Sequence, residues 1–404
     1  MKSLKKLLLS GPGPSSSHTI GPFRIVKDFL SRIESLPIKR VEVTLLGSLA
    51  LTGKGHFTDQ IILKAFEQVP VKVLFSNRLE GLKHPNTMEL IAYGEKDEIL
   101  LEKTYLSIGG GAYQVLGEED RLKEVYPFST FHGLLSFMEE NKIDDVYQVI
   151  EKFEDDDIFE YGKALLLQSF HTIQSSLLKD DILPGDLKLH AVSGKMIEKA
   201  KAAKDPVEKR LLLLTSYAYA TSEANARGEM VVTSPTCGAA GVVPSVLYYE
   251  YKHHHFSLEK LTKAYLVGAL VCDFIKENAG VSGALLGCQA EIGSASSFAS
   301  ASLAYLHSLS LAQIEYAAEV AMEHFLGLTC DPVNGYVQIP CIERNAIASI
   351  HSYSAYLFSK DISPYRKNKV SFDNVIQAMK ETGTELPSDL KETSLGGLAK
   401  IIHC

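Results

Sequence analysis

In IKRVEVTLLG (38–47) apolar and polar side chains alternate, and PVKVLF (70–75) repeats the pattern. A period of two turns one face of each segment inward, so both are expected to be strands. Ile61–Val69, between them, suits a helix. A further strand is expected over 98–106, and Gly109-Gly110-Gly111 behind it suits a tight turn. Strand and helix patterns alternate in this way to residue 125.

Beyond residue 160 the period changes. Helices are expected over 158–179, 189–203, 206–222, 259–276, 295–307, 311–325 and 342–359. The acidic stretch 137–160, with Asp155-Asp156-Asp157, is expected as a solvated helix and linker. Residues 292–314 carry no Asp, Glu, Lys or Arg, and their length would allow a membrane span. Serines, a histidine and a glutamine interrupt that run, so a buried helix of a large helical core is the better expectation. The expected fold class is α+β. An N-terminal α/β sandwich-like domain (1–150) precedes a mostly α-helical domain (158–404) that carries the chemistry.

A chain of 404 residues is more than one core usually serves, which agrees with two domains. With 46% hydrophobic and 22% charged residues, its composition is that of a soluble globular protein. The formal charge of −8 and the lack of a basic run argue against nucleic acid as a partner. The start, Met1-Lys2-Ser3-Leu4-Lys5-Lys6-Leu7-Leu8-Leu9-Ser10, has too short an apolar run for a secretory signal. A cytoplasmic protein with no membrane association is expected.

Six cysteines in a chain this long do not make a disulfide scaffold. Cys272, in an apolar run, reads as a core thiol. Cys237, Cys288, Cys330, Cys341 and Cys404 lie in Gly-rich or terminal segments instead. No CxxC pair occurs, so a zinc knuckle is unsupported. Spacing alone leaves two readings of Cys288, Cys330 and Cys341 open: convergence on a metal, or unrelated loop cysteines. Converging thiolates would select zinc, copper(I) or an iron–sulfur cluster. Three of them leave one iron of a 4Fe–4S cluster without a thiolate, open as a Lewis acid. Gln289, Glu291, Asp331, Glu343 and Asn345 are polar groups beside them. The histidines 253–255 follow Tyr251-Lys252 and read as a solvated loop, not a metal site.

Longer motifs add to this. They are GPSSSHTIGP (13–22), LTGKGHFTD (51–59), HPNTM (84–88), YLSIGGG (105–111), TSEANARGEMVVTSPTCGAAGVVPSVL (221–247), KENAGVSGALLGCQAEIGSA (276–295), MEHFLGLTCDPVNGYVQIPCIERNA (322–346) and LGGLAKIIHC (395–404). In this order they resemble the iron–sulfur-dependent L-serine dehydratases, in the single-chain form with fused β-type and α-type regions. The resemblance implies conversion of L-serine to pyruvate and ammonia on an oxygen-labile 4Fe–4S cluster, without pyridoxal phosphate. It places the cluster ligands on Cys288, Cys330 and Cys341. It places on Cys404 the terminal cysteine that occupies the open iron in the resting enzyme and yields to substrate. It also implies a homodimer.

His18 and His56 become the candidates for the base that takes the α-proton, since an imidazole titrates near neutrality. His56 is favoured, with His18 orienting substrate or relaying a proton. Ser15, Ser16, Ser17 and Thr19 form a polar nest suited to a carboxylate, or a Ser-rich cap. Lys54 and Arg344 are possible charge partners, and Asn278 and Ser282 possible substrate contacts. The chain departs from commoner family forms at Cys237, where many members have PTNGAAG and where the segment is expected to face substrate, and at Ser296. Alternatives are the same scaffold acting on L-threonine or L-cysteine, and a non-catalytic iron–sulfur redox sensor.

Overall fold

A computed structural model describes residues 1–67, 69–76, 78–118 and 124–402. The strands are β1 (Ser10–Pro12), β2 (Arg40–Gly47), β3 (Val71–Phe75), β4 (Asn86–Tyr93), β5 (Ile99–Gly109), β6 (Ala112–Val115) and β7 (Met230–Val232). Five of them form one mixed sheet in the order β3-β2-β4-β5-β6. Only β2 and β3 run parallel, with Val41 opposite Val71, and helical chain connects them. The alternation in β2 does what it predicts: Val41, Val43 and Leu45 are fully buried, while Arg40, Glu42 and Thr44 are half-buried.

The helices of this half are α1 (Gly21–Ile33), α2 (Ser48–Leu51) and α3 (Thr58–Phe66). Ile25, Val26, Phe29 and Ile33 lie on one face of α1 and pack with Ile62 and Phe66 of α3 against the sheet. The β5–β6 turn uses all three glycines at positive φ, and a Cβ on Gly111 would press into Ile20.

The remaining helices are α4 (Phe131–Asn141), α5 (Val146–Phe153), α6 (Ile158–Ser176), α7 (Ser193–Ala202), α8 (Pro206–Ala226), α9 (Val242–His253), α10 (Leu258–Asn278), α11 (Gly283–Leu286), α12 (Ile292–Leu306), α13 (Leu311–Glu323), α14 (Cys341–Ile362), α15 (Phe372–Glu385) and α16 (Gly397–Ile401). This is the expected α+β architecture, a mixed sheet followed by a helical body. The seven expected helices appear with ends shifted by a few residues, and α4, α5, α9 and α15 join them. The acidic stretch 137–160 is not a linker: α5 turns Val146, Tyr147, Val149 and Ile150 into the helical core and leaves its acids outside.

Helix α12 is the charge-free stretch, and it is buried along almost its whole length against α9, α10, α13 and α14. Two of its serines bond across to α13: Ser297 and Ser300 donate to Ala318 O and Ala317 O at 2.7 and 3.0 Å. Among the described residues no helix is long and apolar enough to cross a membrane. The chain's first residues belong to this body too, with Leu4, Leu7 and Leu8 in the helical core. Strand β1 then pairs antiparallel with β7, Ser10 opposite Val232, before the chain enters the sheet half.

Where α10 crosses α12, a Cβ on Gly268 would lie 2.6 Å from the Phe298 carbonyl oxygen. Helix propensity favours Ala over Gly by about 1 kcal/mol, but overpacking against backbone costs about 1–3 kcal/mol. Gly268→Ala is therefore expected to lower the thermal unfolding midpoint, and a raised midpoint would show that the two helices do not touch there.

Candidate active site

The sheet half contributes two histidines. Ser16–Ile20 form one turn of π-helix that leads directly into α1. The turn is anchored to β5 by Ser107, whose hydroxyl donates to Ser17 O at 2.7 Å. His18 is held on both sides: Nε2 lies 3.2 Å from Ser48 O and 2.9 Å from Thr52 Oγ1, and Nδ1 lies 2.9 Å from Ser17 Oγ. A carbonyl can only accept, so Nε2 carries the proton and Nδ1 accepts from Ser17. His56 Nδ1 donates to Thr52 O at 2.8 Å, which leaves Nε2 as the free basic nitrogen. The two rings stack with centroids 4.3 Å apart. Burial pushes His56 down to about 4, and burial with the neighbouring His56 pushes His18 well below its usual value. Both imidazoles are neutral at pH 7.

The helical half contributes the thiols. Cys288 opens a short 3-10 turn just before α12, and Cys341 is the first residue of α14. Cys330 makes a parallel bridge with Lys391 of the C-terminal segment. Glu291, at the mouth of α12, accepts from Cys288 Sγ at 3.7 Å and from Cys330 Sγ at 3.9 Å. Arg344 donates to Thr329 O at 2.7 Å and pairs with Asp331 at 3.2 Å. Burial disfavours its charge, but Cys288, Cys341 and Asp331 outweigh that and raise its pKa. Its bond with Cys288 first, then burial, raises the Cys330 thiol, whereas burial leads for Cys341.

A carboxylate closes the space between the halves. The Glu392 backbone N–H donates to Cys330 O at 2.7 Å, and its carbonyl accepts from Ser48 Oγ at 2.6 Å. Its Oε1 lies 3.4 Å from Ser17 Oγ, 3.5 Å from Ser15 Oγ, 3.5 Å from His18 Nδ1 and 4.0 Å from His56 Nε2. Oε2 is buried with no partner. Burial, then the charge of Cys288, raises Glu392 to about 8, and burial with the Glu392 charge raises Glu291 to about 7. An enclosed cavity of about 20 Å³ lies here, lined by Ser15 and His56 from one side and by Gly238, Cys288, Glu291, Ile292, Cys330, Pro332, Val337, Cys341 and Glu392 from the other. Two groups of donors close enough to share a metal meet at it: Cys288, Glu291 and Cys330 in its wall, and His56 and Glu392 in its wall with His18 behind them.

Not every expected residue comes here. The Thr19 hydroxyl bonds back to the carbonyls of Pro12 and Ser15 at 2.7 and 2.5 Å, and Ser16 is buried without lining the cavity. Lys54 is exposed and pairs with Asp59. Asn278 Nδ2 donates to Ser129 O and Phe274 O at the end of α10. Ser282 is buried with an unpartnered hydroxyl, one residue before Gly283, whose added Cβ would meet Glu291 and Cys330. Cys237 is buried beside Gly238 in a small apolar cluster with Ile20 and Ala240. Cys404 lies outside the described residues. Glu392, Ser48 and Thr52 are site residues that the motif reading did not single out. Thr52 lay within a quoted motif, but Glu392 sits three residues ahead of the quoted tail and carried no spacing signal.

Comparison with known proteins agrees with this two-sided arrangement. The family model described as serine dehydratase beta chain matches residues 3–73, and that described as serine dehydratase alpha chain matches residues 123–399. The chain belongs to the serine dehydratase family. With that family it is a lyase. Over its full length it is 36% identical to an L-serine dehydratase of Helicobacter pylori, covering 99% of that protein. It is 35% identical to an L-serine dehydratase of Streptomyces coelicolor, at 100% and 99% coverage, and to L-serine dehydratase 1 of Escherichia coli, at 100% of both chains. The beta-type match supplies the histidines, and the alpha-type match the thiols and Glu392.

A carboxyl whose folded pKa is raised costs nothing while both states are protonated, below about 4.5. The cost grows as pH rises and is complete above about 8 for Glu392. In protein stripped of metal, Glu392→Gln is therefore expected to gain thermal stability relative to the parent as pH goes from 5 to 9. A difference that stays flat across that range would mean Glu392 is ionised in the fold.

Proposed function

We propose that the chain eliminates water from L-serine and releases pyruvate and ammonia, with a 4Fe–4S cluster held by Cys288, Cys330 and Cys341. The observation that carries the reading is that these three thiols and His56 line one closed cavity from opposite halves of the protein. The donor set fits such a cluster. It offers three soft sulfurs and a guanidinium beside them to offset thiolate charge, and among the described residues no fourth cysteine lines the cavity. When bound, the cluster supplies one iron without a protein thiolate, which acts as a Lewis acid toward the leaving hydroxyl. Cys404 is proposed as its resting ligand.

The chain's own residues do the rest. The Ser15 and Ser17 hydroxyls face Glu392 Oε1, so this spot accepts a carboxylate oxygen, and substrate carboxylate fits there. His56 Nε2 is proposed to take the proton from the substrate α-carbon. Its Nδ1–H bond to Thr52 holds the required tautomer, and burial keeps the ring neutral. His18, bonded on both sides and off the cavity surface, positions Ser17 and Thr52. Removal of the α-proton and loss of the β-hydroxyl give 2-aminoacrylate. This tautomerises to the imine, and water hydrolyses the imine to pyruvate and ammonia.

Protein reconstituted anaerobically with iron and sulfide is expected to form pyruvate from L-serine and to lose both turnover and cluster absorbance in air. Full cluster loading without turnover on serine, threonine or cysteine would instead favour a sensor. His56→Gln is expected to lower kcat by about 10²–10⁴-fold at unchanged cluster absorbance. Near-normal kcat would remove His56 from the role.

A further inference from the structure

Two helices that begin near the active site, α9 and α12, end close together, and the middle of α14 passes beside them. Helix α9 follows the Gly238 loop, α12 follows Glu291 and α14 starts at Cys341. At 1.5 Å per residue, the end of α12 lies about 22 Å from its start. There Glu250 of α9, His254 just beyond α9, His307 just beyond α12 and Tyr353 of α14 come together.

Glu250 is fully buried, and among the described residues its only ion-pair partners are these two histidines. A buried carboxylate requires a counter-charge. His254 Nδ1 lies 2.7 Å from Glu250 Oε2, and His307 Nε2 lies 3.4 Å from the same oxygen. The close His254 contact leaves the buried His307 Nε2 without a hydrogen-bond partner. One cation between the three atoms satisfies all of them.

We propose that Glu250, His254 and His307 bind a divalent transition-metal ion, with Zn²⁺ the best match. All three donor atoms lie within 4.8 Å of one another. Bond lengths of about 2.0–2.1 Å in a tetrahedral site place ligand atoms roughly 3.3 Å apart, so the His307–Glu250 separation already suits a shared ion and the His254–Glu250 contact has to open. The surroundings are those of a ligand set. Tyr353 donates to Glu250 Oε1 and orients the carboxylate. The Tyr356 ring stacks on His307 at 4.9 Å and fixes its plane. Helices α9 and α12 both end here, and two C-terminal dipoles favour a positive charge. The histidine tract read from sequence as a solvated loop thus offers one member to the proposed site, and exposed His254 leaves the site reachable from solvent. Bound metal would tie the far end of α9 to the far end of α12, the helix that follows Glu291.

The test uses full-length, cluster-loaded protein, so that the site thiols are occupied, and titrates it with Zn²⁺ by calorimetry. One ion per chain is expected, with a rise in thermal midpoint. His307→Ala and His254→Ala should each weaken binding at least 10-fold and abolish the rise. In protein loaded with Co²⁺, the ligand-field bands should lack sulfur charge transfer. No binding, or equal binding by the parent and both variants, would overturn the proposal. His254 is exposed, so His254→Ala keeps the test valid if His307→Ala fails to fold. Cluster content and serine turnover are measured on the same samples, so failure of the metal site is separable from failure of the proposed reaction.

Discussion

Strand β1 pairs with β7 just before the chain crosses from the helical body into the sheet body, and that pairing fixes where the chain enters the site. The chain begins in the helical core, crosses by β1, and turns at Ser15–Ile20 straight into α1. His18 is thereby buried between bodies and not exposed on a loop. On the other side the C-terminal segment returns along Cys330, and Glu392 contacts both histidines. Without the seam between the two bodies, neither the serine turn nor Glu392 would have a wall to face.

The seam gathers groups that resist being charged together. Two carboxyls, two imidazoles and three thiols share a space from which water is almost excluded. Burial moves the two imidazoles, the two carboxyls and the Cys330 and Cys341 thiols toward their neutral forms, and Arg344 supplies a fixed positive charge beside the thiols. Such crowding costs stability, and a cationic cofactor or a substrate ammonium would offset it.

Much of this was legible in the chain. Alternation gave β2 and β3, and absence of charge gave the buried α12. The motifs pointed to the thiols and to both histidines. Side-chain direction was not legible. Lys54 shares a motif with His56, yet it points to solvent beside Asp59 while His56 points inward. Thr19 closes its own turn. Helix α9 was missed because Pro244 stands in its opening turn, where a missing N–H costs nothing. Helix α4 starts ahead of the helix expected within 137–160, and the acids of that stretch hide the narrow apolar stripe by which α5 packs into the core.

By itself the sequence determined which residue types sit at which spacing: periodicities, loop glycines, thiols and motif order. Those are local properties, set by backbone sterics and by the burial of one face of each element. Tertiary structure alone decided that residues hundreds of positions apart share one cavity, that Glu392 faces Ser15 and His56, and that His254 meets His307. Such meetings depend on helix lengths, crossing geometry and the seam between bodies, which are fixed only when the whole chain packs.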